Sequence, residues 1–574
     1  MKKLIALLLV LVLLFGLAAC GAPAGENTGT EGQDQSGEKS DEKTDDKTDD
    51  TADESAGTAE PLKMQWHQAG GIDTLFESPW KDSQSILSFA VFETLLEWNS
   101  DGSYVGRLAS DYTVSDDGLT YTFAIREGAV WHDGEPFTID DVVWSMHKVC
   151  IAGQGVWSSG VKSIVGAAEY IEGSADSISG ITTDGNNLIC TLTAPDRVFI
   201  NNICNTRILP KHCLENVADE NLLNDETFWS KPVGTGCYKI DEVSFPDYCT
   251  IVAFEDYYGE QPGVQKMLFT NYSAGGNDSV TAALIAGDLD FAWGNAVNDI
   301  EVANNVAAQN SDVVPMMQVS TYNRYLGFNL SGREDGKDKE DLKNVKVRQA
   351  FNLLIDKNAF ADFYNGQAVA LSTFVNPESS KYNSDIPLFE RNVEEAKRLL
   401  DEAGFDYSQT IDIAYYYDDQ TTADAMAMLK QNFADAGVTV NTSLMTGDLT
   451  AAIYTAKNYD IGYFSNGAPV DANIMYSYMT SDGGASWMGA ADERGAIFDE
   501  PFNAWKNAKD DAAAQEASNK LQALGLENCY MIPMYCLNTI EIYNSAKVTI
   551  PADIFEVDTI TPARNWKFAE WHLN

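Results

Sequence analysis

From Val91 to Val149 the chain reads VFETLLEWNSDGSYVGRLASDYTVSDDGLTYTFAIREGAVWHDGEPFTIDDVVWSMHKV, and this stretch decides the fold. Apolar and polar residues alternate from Asp111 to Ile125 on both sides of Asp116-Asp117-Gly118. That pattern predicts a β-hairpin, with glycine supplying the positive φ of its turn. A second turn is expected at Asp133-Gly134. Thr138 then stands three residues before Asp141, so a hydroxyl and a carboxylate can satisfy the first amides of a helix whose apolar stripe is Ile139, Val142, Val143, Met146 and Val149. Hairpin, turn and capped helix follow one another.

The same residues carry a resemblance. Phe92-Glu93-x-Leu95, Asp117-Gly118-Leu119-Thr120-Tyr121-Thr122-Phe123, Ile125-Arg126-x-Gly128, Trp131-x-Asp133-Gly134-x-Pro136 and Asp140-Asp141-Val142 together resemble the signature of the bacterial extracellular solute-binding proteins of family 5, which serve peptide and nickel importers. Further matches run to the C-terminus, among them Ile208-Leu209-Pro210-Lys211-His212, Tyr325-Leu326-Gly327-Phe328-Asn329, Arg348-Gln349-Ala350-Phe351 and Ile532-Pro533-Met534-Tyr535. The resemblance implies an α/β fold of the periplasmic-binding-protein-like type II class. This is a two-lobed clamshell of mixed sheets with flanking helices, with an extra subdomain in its first lobe. It implies lobe I from residues 61–96, 225–318 and 525–574, an inserted subdomain at 97–224, and lobe III at 319–524. It also implies capture of an oligopeptide or dipeptide between the lobes and delivery to the permease subunits of an ABC importer. A nickel chelate, an oligosaccharide or a haem remains open as the solute, as does a surface enzyme or a receptor without transport.

Before this body lie two segments of different character. Lys2 and Lys3 precede an apolar run from Leu4 to Leu17, too short to span a bilayer core of ~30 Å but suited to a secretory signal at 1–19. Leu17-Ala18-Ala19-Cys20 resembles a lipobox, so Cys20 is the expected lipidation site, anchoring the protein to the extracytoplasmic face of the cell membrane. Residues 20–60 form an acidic tether. Rich in Glu, Asp, Lys, Thr, Ser and Gly, the segment has too few apolar side chains to offset chain entropy, and disorder is expected.

Acidity extends beyond the tether, because the net charge of the 574 residues is -48. Nucleic acid is excluded as a partner, since that binding draws on clustered Lys and Arg. Nine cysteines include no Cys-x-x-Cys, and none has two histidines at zinc-site spacing, so neither metal nor cofactor is expected. With Cys20 set aside, the other eight fit either disulfides or buried thiols. Gly234 and Gly236 precede a strand without a following Gly-Lys-Ser/Thr, which favours a close backbone approach over a phosphate loop.

No nucleophile with its base stands out, and no His-Glu-x-x-His occurs, so the protein is expected to bind without catalysing, and as a monomer. In peptide-binding relatives an Asp of the last large lobe holds the solute's ammonium group. The resemblance puts Asp471 there, with Asn466 beside it, and capping is the competing role for Asp471. Arg324 is the candidate for a solute carboxylate, or else a structural ion pair. Tyr463 and Trp487 are candidates for the cleft wall, with core packing as the alternative.

Overall fold

The structure, a computed structural model, describes residues 60–66, 87–99, 103–153, 155–272, 275–293, 297, 299–318, 320, 322–449, 451–467, 471–481, 495–552 and 566–574. The signal segment, Cys20, most of the tether and Trp487 lie outside the described residues.

The quoted stretch folds as its pattern requires. Strands Ala109–Val114 and Thr120–Ile125 pair antiparallel across a turn in which Gly118 has φ of 70°. Alternation turns Tyr121, Phe123 and Ile125 inward, and strands Asn187–Thr191 and Ile181–Asp184 extend the hairpin to four strands. In helix Ile139–Ala152 the Asp141 carboxylate accepts the Thr138 amide at 2.9 Å and its hydroxyl at 3.0 Å. The stripe faces the core through Val142, Met146 and Val149, with Ile139 and Val143 half-buried at its edge. Gly234 and Gly236 pass directly under the quoted stretch. A Cβ at either would collide with the carbonyl oxygens of Val91 and Ala90 respectively, so the glycines serve close approach of two backbones.

Two larger sheets organise the rest. One has seven strands, in the order 313–318, 539–544, 291–292, 62–65, 266–270, 248–253, 238–244. Its core is continuous with that of the four-stranded subdomain. The other has six, in the order 368–370, 531–537, 322–328, 461–467, 410–415, 439–444, around a separate core. Strand Met531–Leu537 corrects the expected boundary at residue 525. It pairs with Tyr322–Phe328 and is buried throughout except at Leu537, so it belongs to the six-stranded lobe. An apolar run satisfies either sheet; pairing on both flanks settles which one.

The chain passes between the two sheets at 318–322 and 537–539. Asn538 ties the crossings together: its side chain accepts the Ser320 amide at 3.2 Å, and its backbone exchanges hydrogen bonds with Gln367 at 3.0 and 2.8 Å. All eight described cysteines are free thiols, seven of them buried, which decides between the two readings. No helix among the described residues is long and apolar enough to cross a membrane.

Candidate functional site

Strands Thr410–Tyr415 and Ile461–Gly467 run parallel, so their C-terminal ends lie along one edge of the six-stranded sheet. Strand Tyr322–Phe328 is antiparallel to the second and begins at that edge, setting Arg324 opposite Ser465 and Tyr322 opposite Gly467. The carboxyl edges of strands are where α/β folds bind ligands, because side chains and loops converge there beyond the last ladder bonds.

Arg324 is the centre of this edge. Its guanidinium carbon lies 3.7 Å from the ring centre of Tyr417 and 5.4 Å from that of Tyr322. Hydroxyls surround it. Ser465 donates to the Tyr322 oxygen at 2.6 Å, Tyr416 and Tyr417 are 2.9 Å apart through their oxygens, and Tyr463 meets Tyr535 at 2.6 Å. Burial raises the Tyr417, Tyr463 and Tyr535 phenols above their ordinary range, so at neutral pH the nest is made of uncharged groups. Arg324 is only 9% exposed, yet its buried Nη1 has no acceptor and no carboxylate pairs with it among the described residues. A guanidinium stays charged under all ordinary conditions. The protein therefore buries a cation with ring faces and hydroxyls for company, an arrangement whose desolvation cost an incoming anion would offset.

The other candidates fall around this centre. Asn466 shares the strand; its side-chain amide donates to Tyr478, and its oxygen accepts the Gly467 amide. Tyr463 is 1% exposed and sits beneath the nest, locked to Tyr535, so it packs the floor instead of forming a wall. Asp471 caps the 3-10 helix Ala472–Met479, accepting the Asn473 amide and side chain at 2.9 Å each, and its second oxygen lies 3.2 Å from Lys381 Nζ. Sequence reasoning missed Tyr322, Tyr416, Tyr417 and Ser465. The run Tyr415-Tyr416-Tyr417 at the end of a strand was the available signal.

The subdomain meets the six-stranded lobe at one rim. Arg197 donates its amide to the Lys506 carbonyl at 2.8 Å and its guanidinium to Asp511 at 3.1 Å. Lys506 Nζ stands 3.3 Å from Asp196, whose carboxyl burial raises above its ordinary range against the pull of that lysine. The lobes thus touch at this rim as well as at the crossings tied by Asn538.

Comparison with known proteins agrees with this architecture. The dipeptide-binding protein of Escherichia coli K12 is 28% identical over 321 residues, which cover 53% of this chain and 56% of that one. The chain spans 59% of the length of a Brucella ovis peptide-binding relative at the same identity. Among solved structures, the ABC transporter substrate-binding protein CtaP of Listeria monocytogenes superposes with a TM-score of 0.72 at 21% identity, covering 89% of this chain and 99% of that one. NikZ of Campylobacter jejuni, solved in complex with Ni(L-His), gives 0.68 at 20%, covering 89% and 99%. These likenesses establish the fold as that of a type II periplasmic binding protein. Residues 103–487 match the description of the bacterial extracellular solute-binding proteins, family 5 Middle, and the chain belongs to that family.

Proposed function

We propose that the protein captures a short peptide between its lobes and hands it to the permease subunits of an ABC importer, held at the extracytoplasmic face of the membrane by lipid on Cys20. The reading rests above all on Arg324, a buried cation without a carboxylate partner among the described residues, at the carboxyl edge of the sheet. The C-terminal carboxylate of a peptide fits that seat, since a guanidinium can take it with two parallel hydrogen bonds. The surrounding rings give a wide apolar wall, and their hydroxyls serve the peptide's amides. Asp471 belongs to the same lobe as Arg324, and there the solute's ammonium would take the place of Lys381. Closure is then favoured by whatever bonds both walls at once.

A thermal-shift series decides the matter. Short peptides with a free C-terminal carboxylate are expected to raise the melting temperature, the stabilisation reaching ~2.7 kcal/mol at 100 times the dissociation constant. Their C-terminal amides should have little effect. If no peptide shifts the transition, the peptide reading fails. The solute that copurifies with the protein, released by mild denaturation and identified by mass spectrometry, distinguishes a peptide from a carboxylate-bearing metal chelate.

A further inference from the structure

Away from the Arg324 nest, on the surface of the subdomain, an oxygen, a nitrogen and a sulfur donor converge. Asp133 Oδ2 lies 2.8 Å from His212 Nε2, and the Cys213 thiol joins them so that all three atoms lie within 4.8 Å of one another. Cys213 is the exposed thiol among eight, the other seven being buried. The local fold holds this trio. Gly134 turns the chain at φ of 91° directly after Asp133, whose other oxygen accepts the Glu135 amide at 3.2 Å. Asp141 caps its own helix with one oxygen and takes the Lys211 amide at 3.2 Å with the other, so the turn of helix bearing His212 and Cys213 is fastened beside the Asp133 turn. Trp131 backs the imidazole, ring centres 6.0 Å apart.

We propose that Asp133, His212 and Cys213 form a binding site for a zinc ion, with a water or a solute group completing a tetrahedral shell. One carboxylate, one imidazole and one thiolate make a borderline-soft donor set that suits zinc and rejects calcium and magnesium, which take oxygen ligands. Bonds of ~2.0–2.3 Å from a tetrahedral centre require donors roughly 3.2–3.7 Å apart. The hydrogen-bonded oxygen and nitrogen need only part slightly to admit the ion. Partial exposure leaves the fourth position open to solvent. On binding, the thiol proton leaves to water and the sulfur bonds the metal as thiolate, while the imidazole coordinates as the neutral base. The histidine and cysteine are adjacent, whereas Asp133 is 79 residues before His212, and no sequence spacing reveals the trio.

Cobalt titrated into the mature chain as a spectroscopic stand-in for zinc tests the site. One equivalent is expected to bind, with a thiolate-to-cobalt band in the near ultraviolet that zinc abolishes by displacement. Cys213→Ser should lose the band while melting at the unchanged temperature without metal, because the thiol is exposed; His212→Ala and Asp133→Asn should weaken uptake at least tenfold. Zinc should also slow modification of Cys213 by a thiol reagent at least tenfold in the folded protein. Equal cobalt uptake by wild type and Cys213→Ser, without the band, would assign the metal to surface carboxylates and overturn the proposal. An unchanged thiol reaction rate would overturn it too.

Discussion

The guanidinium carbon of Arg324 lies 3.7 Å from the centre of the Tyr417 ring, and that ring face does the work that carboxylates do for Arg333. Arg333, by contrast, meets Asp335, Asp412 and Asp460 at 2.9–3.0 Å. Stability and binding should therefore respond to Arg324 with opposite signs. Arg324→Met removes a buried charge while keeping volume, and the unliganded protein is expected to unfold at equal or higher urea concentration. Affinity for a peptide with a free C-terminal carboxylate should fall about 100-fold by calorimetry, the scale of an unpaired charge contact. A variant that binds normally contradicts the role given to this side chain.

Lys506→Ala strips the partner from Asp196, a carboxylate only 7% exposed. Leaving a buried charge unpaired costs more than losing a surface pair, although Lys506 is itself part-exposed, which tempers the effect. Solute dissociation should accelerate roughly fivefold with association little changed, since the rim contact forms after encounter. Stopped-flow fluorescence reads both rates, and small-angle scattering should show a larger radius for the unliganded variant.

At Gly236 the constraint is steric. An alanine there would place its Cβ against the Ala90 carbonyl, which is backbone and has no rotamer to escape into. Gly236→Ala is expected to destabilise by about 2 kcal/mol or more in chemical unfolding. The same change at Gly287, a helix cap with open space around it but φ of 75°, should cost about 1 kcal/mol through backbone strain alone.

Two of the buried groups that shape the pH dependence, alongside Glu93 and His132, can be tested separately. Burial raises the Glu541 carboxyl from 4.5 to about 8, with one oxygen lacking any partner. The folded state thus holds a proton that the unfolded chain releases, and stability falls as pH rises from 4.5 to 8. Burial lowers the Lys357 ammonium from 10.5 to about 7, even though it donates to the Leu371 carbonyl at 2.9 Å and lies 4.2 Å from the Phe389 ring centre. There the unfolded chain holds the extra proton, and stability rises from pH 7 to 10.5. Glu541→Gln should make the first limb shallower, Glu93 still contributing to it, and Lys357→Met should flatten the second, each removing a slope of up to about 1.4 kcal/mol per pH unit. Urea melts from pH 5 to 10 measure both. An unaltered limb in either variant removes that residue from the account.

What the residues disclosed in advance was what their neighbours in sequence control. The Asp117-Gly118 turn and the Thr138 and Asp141 cap each close within a few positions, and each formed. Asp471 belongs to the same class: its bond to the Asn473 amide is a local turn, which is why capping competed with a solute role. Arg324 was visible as a candidate, but its missing counter-ion was not, because that depends on which side chains three separate strands bring to one edge. Tyr463 was placed one layer too far out, since an aromatic on a strand end reads alike as floor or wall. Spacing was equally silent on the cysteines, whose free state follows from their distribution over distant elements.

The crossings stitched by Asn538 have a mechanical consequence. Arg324 stands four residues beyond Ser320, so in the proposed function a solute seated there would lie within ~13 Å of the crossings. A force pulling on that solute has a short lever arm and exerts little torque on the joint. The contact of Asp196 with Lys506 is a separate tie between the subdomain and the six-stranded lobe. In the proposed transport, a partner that grips this tie would therefore govern unloading more than one that pulls on the solute.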